Sequence, residues 1–246
     1  MEIAGKTALV TGAARRVGRE IAIHLARAGA DILLHYHRSH DDAEATARDI
    51  RALGRACTTL SADLRDAEAT EQLAASALAA PGGPPAVLVN SASVFHPTPL
   101  DALTAAEWDA VMAVNLRAPF QLARALGPAM AARGGGKIIN IADGAIRRPY
   151  RRHLPYLVSK SALDAMTRVL ALELAPAVQV NTVAPGTVLF SGDQSPALRD
   201  AIVRATPLGR VGEPADVAAM VAHLVLHGDF VTGAFVAVDG GVGIPG

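Results

Sequence analysis

The chain has 246 residues, of which 51% are hydrophobic and 19% charged, and its formal net charge is zero. This length and composition fit one globular domain that can bury a sizeable core. The charge balance argues against nucleic acid or an anionic membrane as the main partner. A single cysteine, Cys57, rules out an internal disulfide bond and is typical of a reducing compartment.

No targeting or membrane segment is predicted. The N-terminus lacks the basic region and apolar run of a signal peptide. The uncharged stretch 74–100 contains five prolines, which break any helix that would span a membrane. We therefore expect a cytoplasmic protein that acts on a small molecule.

Short runs rich in Val, Ile and Leu alternate with longer segments of helical periodicity. The predicted strands are Thr7–Val10, Ile32–His35, Thr58–Leu60, Val87–Val89, Lys137–Ile141, Val178–Val183 and Phe235–Val238. The predicted helices span about 17–28, 41–53, 66–79, 104–132, 155–174 and 214–226. Near-continuous apolar strands separated by helices indicate a parallel sheet covered on both faces. We predict an α/β, single-domain Rossmann fold over residues 1–246, with a doubly wound parallel seven-stranded sheet and helices on both faces.

A glycine-bearing turn joins the first predicted strand to the first helix. It reads Thr11-Gly12-Ala-Ala-Arg15-Arg16-Val17-Gly18. A helix that begins after such a turn presents unpaired N–H groups and a positive dipole end to a pyrophosphate. The turn therefore predicts a dinucleotide site.

The end of the second strand indicates which dinucleotide is bound. It reads His35-Tyr-His37-Arg38-Ser39, without an acidic residue before Asp41. An NAD site places an acid near this point for the ribose 2′-hydroxyl. A cation and hydrogen-bond donors suit a 2′-phosphate instead, and Arg15 would add charge. The sequence predicts NADPH/NADP as the cofactor.

Tyr156 and Lys160 lie four residues apart on a predicted helix and therefore share a face. A nearby ammonium group favours a phenolate, so we expect Lys160 to lower the pKa of Tyr156. Asp143 lies thirteen positions before Tyr156, after a predicted strand. Its carboxyl group can carry a proton. Asn115 lies within a predicted helix, where asparagine is a poor helix former.

The glycine turn, the Tyr156-Leu-Val-Ser-Lys160 run and the strand–helix alternation resemble the short-chain dehydrogenase/reductase family over essentially the whole chain. The resemblance implies catalytic roles for Tyr156, Lys160 and Asn115, with Asn115 organising a proton-relay water. It also implies a homotetramer formed through the C-terminal region and the Tyr156 helix, where Ala162 and Ala165 would permit close approach. The cofactor contacts that it implies, together with those predicted above, are Gly12, Arg15, Arg16, Val17, Gly18, His37, Arg38, Ser39, Asp63, Leu64, Asn90, Ser91, Ala92, Tyr156, Lys160, Pro185, Gly186 and Thr187.

Two residues depart from the general family pattern. Arg16 stands where the family has a glycine, and Asp143 stands where it has a serine. With the segments 35–39 and 90–100, they resemble the pteridine reductase branch, which includes dihydromonapterin and alternative dihydrofolate reductases. This implies NADPH-dependent reduction of a C=N bond in a dihydropterin, dihydromonapterin or dihydrofolate. The expected substrate contacts are Arg16, Ser93, Phe95, Asp143 and Tyr156, with Phe95 stacked on the ring. We expect no metal ion.

Other interpretations stay open. The chain would alternatively be a carbonyl reductase or dehydrogenase acting on a small ketone, aldehyde or 3-oxoacyl substrate, or a non-catalytic NADP(H)-binding protein. Phe95 would alternatively be a core side chain. The basic run Arg147–His153 would receive an anionic substrate tail, or be a solvated surface or a subunit contact. The stretch Gly186–Thr206 is the least regular and is predicted to be a substrate loop.

Overall fold

The computed structural model describes residues 1–190 and 195–244. A seven-stranded parallel sheet forms its centre, with the spatial order β3-β2-β1-β4-β5-β6-β7. The strands are β1 (Thr7–Val10), β2 (Asp31–Tyr36), β3 (Cys57–Ser61), β4 (Val87–Asn90), β5 (Gly136–Ile141), β6 (Val178–Pro185) and β7 (Phe235–Val238). The predicted single-domain Rossmann fold is confirmed. The strand order reverses between β1 and β4, which is where such sheets bind ligands at their carboxyl ends.

Helices cover both faces of the sheet. In the described residues they are α1 (Arg16–Arg27), α2 (His40–Ala52), α3 (Ala67–Leu78), α4 (Ala105–Met112), α5 (Ala118–Ala132), α6 (Leu154–Glu173), α7 (Pro196–Ala205) and α8 (Pro214–His227). Successive strand residues point to opposite faces, so Val10 and Leu9 enter different cores. The first core lies under α1, α2 and α8, and the second lies under α3, α5 and α6.

The helix predicted over 104–132 is interrupted. It begins as predicted, because Thr104 and Glu107 form a reciprocal capping box. A π-helical turn, Ala113–Arg117, then separates α4 from α5. π-Helical turns are rare in proteins, and those that do occur are often found at functional sites. Asn115 lies within this turn, so its poor helix propensity coincides with the interruption.

The prediction of an irregular loop over Gly186–Thr206 was wrong for α7. Ser195 caps this helix, because its hydroxyl group accepts a hydrogen bond from Leu198 N at 3.3 Å, and Pro196 occupies the first helical position. A capping serine followed by proline is a helix start signal. Residues 191–194 of the predicted loop lie outside the described residues.

None of the helices in the described ranges is long and apolar enough to cross a membrane.

A buried polar network ties helix α6 to the sheet. Asn90 Nδ2 on β4 donates to Asn140 Oδ1 on β5 at 2.8 Å, and Asn140 Nδ2 donates to Thr167 Oγ1 on α6 at 2.8 Å. Thr182 Oγ1 on β6 lies 3.0 Å from Thr167 Oγ1. All four side chains are buried. Their hydrogen bonds therefore fix where α6 sits relative to the ends of β4 and β5.

We expect Thr167→Val to destabilise the fold by about 1–3 kcal/mol, because it leaves the buried Asn140 amide without its acceptor. Urea denaturation of the purified protein measures the free energy of unfolding. Thr58→Val is the matched control, since Thr58 is exposed on β3, and it should change stability by no more than about 0.5 kcal/mol. Equal stability of the two variants would contradict the importance of the network.

Candidate active site

Asp143, Tyr156 and Lys160 meet at the carboxyl end of β5. Tyr156 Oη donates a hydrogen bond to Asp143 Oδ2 at 2.6 Å, and Ala145 N donates to Asp143 Oδ1 at 2.7 Å. Lys160 Nζ donates to the carbonyl oxygen of Ile141 at 2.7 Å and lies 5.9 Å from the centre of the Tyr156 ring. Tyr156 is 8% exposed and Lys160 is 2% exposed. A phenol and a carboxyl group thus form a direct pair, with a buried ammonium group one helical turn away.

The three groups shift each other's acidity. Burial raises the pKa of Asp143 above its ordinary value, although hydrogen bonds from Tyr156 and Ala145 N and the charge of Lys160 oppose the rise. Burial, followed by the charge of Asp143, raises the pKa of Tyr156. Burial lowers the pKa of Lys160 to about 8.

The expectation that Lys160 lowers the pKa of Tyr156 was therefore wrong, because burial and Asp143 raise it. The Asp143 carboxylate contacts the phenol directly, whereas the Lys160 ammonium is directed at the backbone of Ile141. The nearer negative charge and the burial dominate. Tyr156 consequently retains its proton and donates it in the hydrogen bond to Asp143.

Asn115 fastens the loop that follows β4 to α6. Its Oδ1 accepts from Val94 N at 2.8 Å, and its Nδ2 donates to Val94 O at 3.1 Å and to Ser159 Oγ at 3.1 Å. The side chain is fully buried. Its amide is thus occupied by protein groups, and the relay of protons through a water at Asn115 stays a prediction.

The glycine turn after β1 has the geometry that a pyrophosphate site needs. In the described part of the chain, no side chain caps the first turn of α1 and no acid lies in it. A Cβ on Gly12 would lie 2.9 Å from Ala92 Cα, and a Cβ on Gly18 would lie 2.3 Å from Gly12 O. Only glycine permits these approaches. The residues present therefore fit a dinucleotide, since free N–H groups and a close backbone turn meet at the switch point.

Arg16 and Arg15 both project from this turn and are exposed. Arg16 has φ +56°, a left-handed backbone conformation that costs a residue with a side chain about 1–2 kcal/mol. The backbone here keeps the shape of a glycine turn, as the family resemblance suggests. Arg15 Nε lies 3.5 Å from Asp42 Oδ2, so part of its charge is compensated.

His35 is a residue of this site that the sequence did not lead us to predict. Gly12 N donates to His35 Nδ1 at 3.1 Å, so the ring is neutral and its Nε2–H donates to Ala62 O at 3.1 Å. Burial lowers the pKa of His35 to about 4. The His35 ring therefore fixes the backbone of the glycine turn through the hydrogen bond that it accepts from Gly12 N. A histidine within the apolar run of β2 was the available signal.

Thr11 was also omitted from the predicted site. Its Oγ1 accepts from Ser91 N and Ala92 N, each at 3.0 Å, and so joins the end of β1 to the loop after β4. The Asn90 side chain points toward Asn140, while its buried Oδ1 has no partner among the described residues. Leu64 is buried in the core. Of the predicted cofactor contacts, Asn90 and Leu64 thus direct side chains into the protein.

The predicted 2′-phosphate side of the site is exposed and basic. His37 and Arg38 are exposed at the end of β2, and Arg38 makes no ion pair within the described ranges. Asp63 is held by Arg65, whose Nη2 lies 2.6 Å from Asp63 Oδ2. This hydrogen bond lowers the pKa of Asp63 to about 2. Asp63 Oδ2 also lies 3.5 Å from His37 Nε2, so the carboxylate helps to hold the His37 ring in place.

The segment Pro185–Thr187 continues from β6 at the same end of the sheet. Gly186 N donates to Val238 O at 3.0 Å. A Cβ on Gly186 would lie 2.8 Å from Asp239 Cα, so the glycine permits close packing against the end of β7. Val17 is partly buried at the start of α1, across the same edge.

Phe95 and Ser93 lie in the exposed loop after β4. The Phe95 ring is 50% exposed and meets Tyr156 edge-on at 4.8 Å between ring centres. This excludes the interpretation of Phe95 as a core side chain. In the basic run, residues 147–152 are exposed, and Arg147 lies over the Phe235 ring at 4.2 Å.

Comparisons with known proteins agree with this geometry. A family model described as enoyl-(acyl carrier protein) reductase matches residues 12–243. A short-chain type dehydrogenase/reductase of Picea abies is 36% identical, with 97% of this chain and 93% of the relative covered. A galactitol 2-dehydrogenase (L-tagatose-forming) of Cereibacter sphaeroides is 40% identical over 96% of this chain and 94% of the relative.

Among solved structures, the angucycline C-6 ketoreductase LanV with bound NADP superposes with a TM-score of 0.91 and 32% identity. The alignment covers 99% of this chain and 98% of the other. Identity at this level over nearly the full length, together with the matching fold, shows common descent and a shared architecture. The chain is a member of the short-chain dehydrogenase/reductase family, and it is an oxidoreductase of that family.

Proposed function

We propose that the protein is an NADP(H)-dependent reductase of a small ketone or aldehyde, working reversibly on the corresponding alcohol. The observation that carries the proposal is the Tyr156–Asp143 hydrogen bond of 2.6 Å beside the buried Lys160. It keeps a proton on Tyr156, where an alkoxide oxygen would need one. The similarity to a galactitol dehydrogenase and a ketoreductase supports hydroxyl–carbonyl chemistry.

The cofactor would lie across the switch point. The first turn of α1 and Gly12 would hold the pyrophosphate, and His37, Arg38 and Ser39 would hold a 2′-phosphate. Thr187 and Gly186 would border the nicotinamide, and Lys160 would reach the adjoining ribose. Bound there, NADPH supplies hydride to the substrate carbon. The ketoreductase structure with NADP bound supports this choice of cofactor.

Tyr156 would donate its phenolic proton to the substrate oxygen as the hydride arrives. Its Oη is already oriented by Asp143. Because burial raises the pKa of Asp143, this carboxyl group can take up a proton closer to neutrality and return it to the phenolate. Lys160, with its pKa lowered to about 8, would stabilise the phenolate while it exists.

The reduction of a pterin C=N bond is the second candidate. Its support is the carboxyl group at position 143, where the family pattern has a serine that can only orient, together with the half-exposed Phe95 ring beside Tyr156. A ring nitrogen needs a proton as the adjoining carbon receives hydride, and two adjacent proton carriers suit that demand. Arg16, which projects from the glycine turn, would face the acceptors of the pterin ring.

NADPH oxidation with butane-2,3-dione, an aliphatic aldehyde, dihydrobiopterin, dihydromonapterin and dihydrofolate tests the two candidates side by side. We expect the carbonyl substrates to be turned over, and Asp143→Ser to lower their kcat/KM about 10-fold, because the serine hydroxyl can still hydrogen-bond Tyr156 but cannot return a proton to it. If pterins are the substrates, the same variant should lose about 100-fold or more, because a proton carrier is removed. Tyr156→Phe is the control that should abolish either reaction. Turnover of pterins alone would contradict the carbonyl proposal.

Arg38→Leu should raise the KM for NADPH about 10- to 100-fold and leave the KM for NADH nearly unchanged, because a charge-assisted hydrogen bond to the 2′-phosphate is lost. Steady-state kinetics with each cofactor measures the split. Arg27→Leu is the matched control, since Arg27 is exposed at the far end of α1. If the wild-type protein used NADH as well as NADPH, the assigned phosphate site would be wrong.

We further propose that the protein is a homotetramer. The outer surfaces of α5 and α6 expose Phe120 (46%), Val169 (57%) and Leu172 (81%), and the small residues Ala162 and Ala165 on α6 are partly buried and exposed, respectively. A cavity of about 920 Å³, lined by the 98–101 loop, the 146–152 segment and α6, adjoins this face. Such surfaces are costly to expose to water. Static light scattering should give a mass near four times 25.3 kDa, and a monomer would contradict the proposal.

A further inference from the structure

His153 lies against the ring of Phe95, which in turn contacts Tyr156. The His153 ring stacks on Phe95 with 4.7 Å between ring centres and an angle of 14° between the planes. Phe95 in turn meets Tyr156 edge-on at 4.8 Å. Tyr150 closes the opposite end, with its ring edge-on to His153 at 5.1 Å. Four rings therefore form a continuous row that ends at the catalytic phenol.

The backbone around His153 is shaped to place this ring. Arg152 has φ +68°, a left-handed conformation that an arginine adopts only at a cost. Thr98 N donates to Arg152 O at 2.6 Å, and Thr98 and His153 form an isolated parallel bridge. Thr98 is 3% exposed. This bridge joins the loop after β4, which carries Phe95, to the basic run. Strain that is maintained by a buried contact next to a reactive group suggests a functional constraint.

The side chain of His153 is not used to support α6. His153 is the residue that precedes the helix, yet it makes no side-chain capping hydrogen bond in the described structure. Its Nδ1 lies 3.2 Å from Arg151 O, a contact that orients the ring plane, and one face lies on Phe95. Helix-capping positions favour Ser, Thr, Asp and Asn. The residue is therefore explained by its ring contacts rather than by the start of α6.

We propose that His153 is a positioning residue that holds the Phe95 ring as a flat wall next to Tyr156, and that this wall selects planar, conjugated carbonyl or heteroaromatic substrates over aliphatic ones. The proposal rests on the proposed reductase function of the Tyr156 site. A half-exposed phenylalanine in a loop would otherwise sample several rotamers. Stacking by His153 restricts it to the orientation in which it meets Tyr156 edge-on. A flat substrate then contacts a wall that is already ordered and loses less entropy on binding.

The experiment compares isatin, a planar bicyclic ketone, with butane-2,3-dione, an aliphatic one, in NADPH-dependent turnover. His153→Ala should lower kcat/KM for isatin about 2- to 10-fold relative to butane-2,3-dione, the range expected for one aromatic pair. The KM for NADPH should stay unchanged. His153→Phe keeps a flat ring and should retain the wild-type ratio. His223→Ala is the matched control, because His223 is exposed on α8.

Calorimetric titration of isatin into the protein saturated with NADP gives a second readout that does not require turnover. We expect His153→Ala to weaken isatin binding by a similar factor and His153→Phe to preserve it. An unchanged isatin preference in His153→Ala, or an equal loss in His153→Phe, would overturn the positioning role. If the wild-type protein reduced neither ketone but bound isatin in a His153-dependent way, the proposed reductase function would fail while the aromatic wall would stand.

Discussion

The hydrogen bond from Tyr156 to Asp143 is the interaction around which the site is arranged. It joins two groups that burial makes reluctant to ionise, because the pKa of each is raised. The phenol is the donor and the carboxyl group the acceptor of this bond, while Lys160 lies one helical turn away and donates to the backbone of Ile141. A serine at position 143 could orient a substrate, but it could not store a proton. This difference separates the protein from the general pattern of its family.

The surrounding fold keeps that pair at a fixed distance from the dinucleotide turn. The buried network through Asn140 and Thr167 attaches α6 to the sheet. On the other side of the switch point, His35 holds the Gly12 turn, and Thr11 holds the loop after β4. Asn115 joins that same loop back to α6. Each contact uses a buried polar group that is costly to leave unpaired, so the two halves of the site are rigidly related.

The sequence was sufficient for the sheet and for bringing Asp143, Tyr156 and Lys160 together at its carboxyl edge, but it did not indicate Thr11 or His35 there. The apolar strands were recognisable because both faces are covered, and each predicted strand lies within the observed one. Tyr156 and Lys160 share a face because helical spacing requires it. The helix α7 was missed because its start signal follows an irregular stretch, where Ser195 and Pro196 were not distinguished from loop residues.

Features that depend on three-dimensional neighbours could not be predicted in this way. Whether the pKa of Tyr156 is raised or lowered depends on which of Asp143 and Lys160 lies nearer to its hydroxyl group. Spacing along the chain does not fix those two distances. His35 contacts Gly12, which is 23 residues away in the chain. His153 contacts Phe95, which is 58 residues away. The left-handed backbone of Arg152 depends on its bond to Thr98, which belongs to another loop.

The pairing of Asp143 with Tyr156 can be tested most directly by carbon NMR of the aspartate carboxyl groups across pH. The Asp143 resonance would be assigned by its absence in Asp143→Asn. We expect Asp143 to titrate above the ordinary aspartate value of about 3.9, because burial disfavours its charge. Tyr156→Phe should move its pKa higher still, since the hydrogen bond that favours the carboxylate is removed. An Asp143 pKa at or below the ordinary value, unaffected by Tyr156→Phe, would contradict the buried pair as the centre of the site.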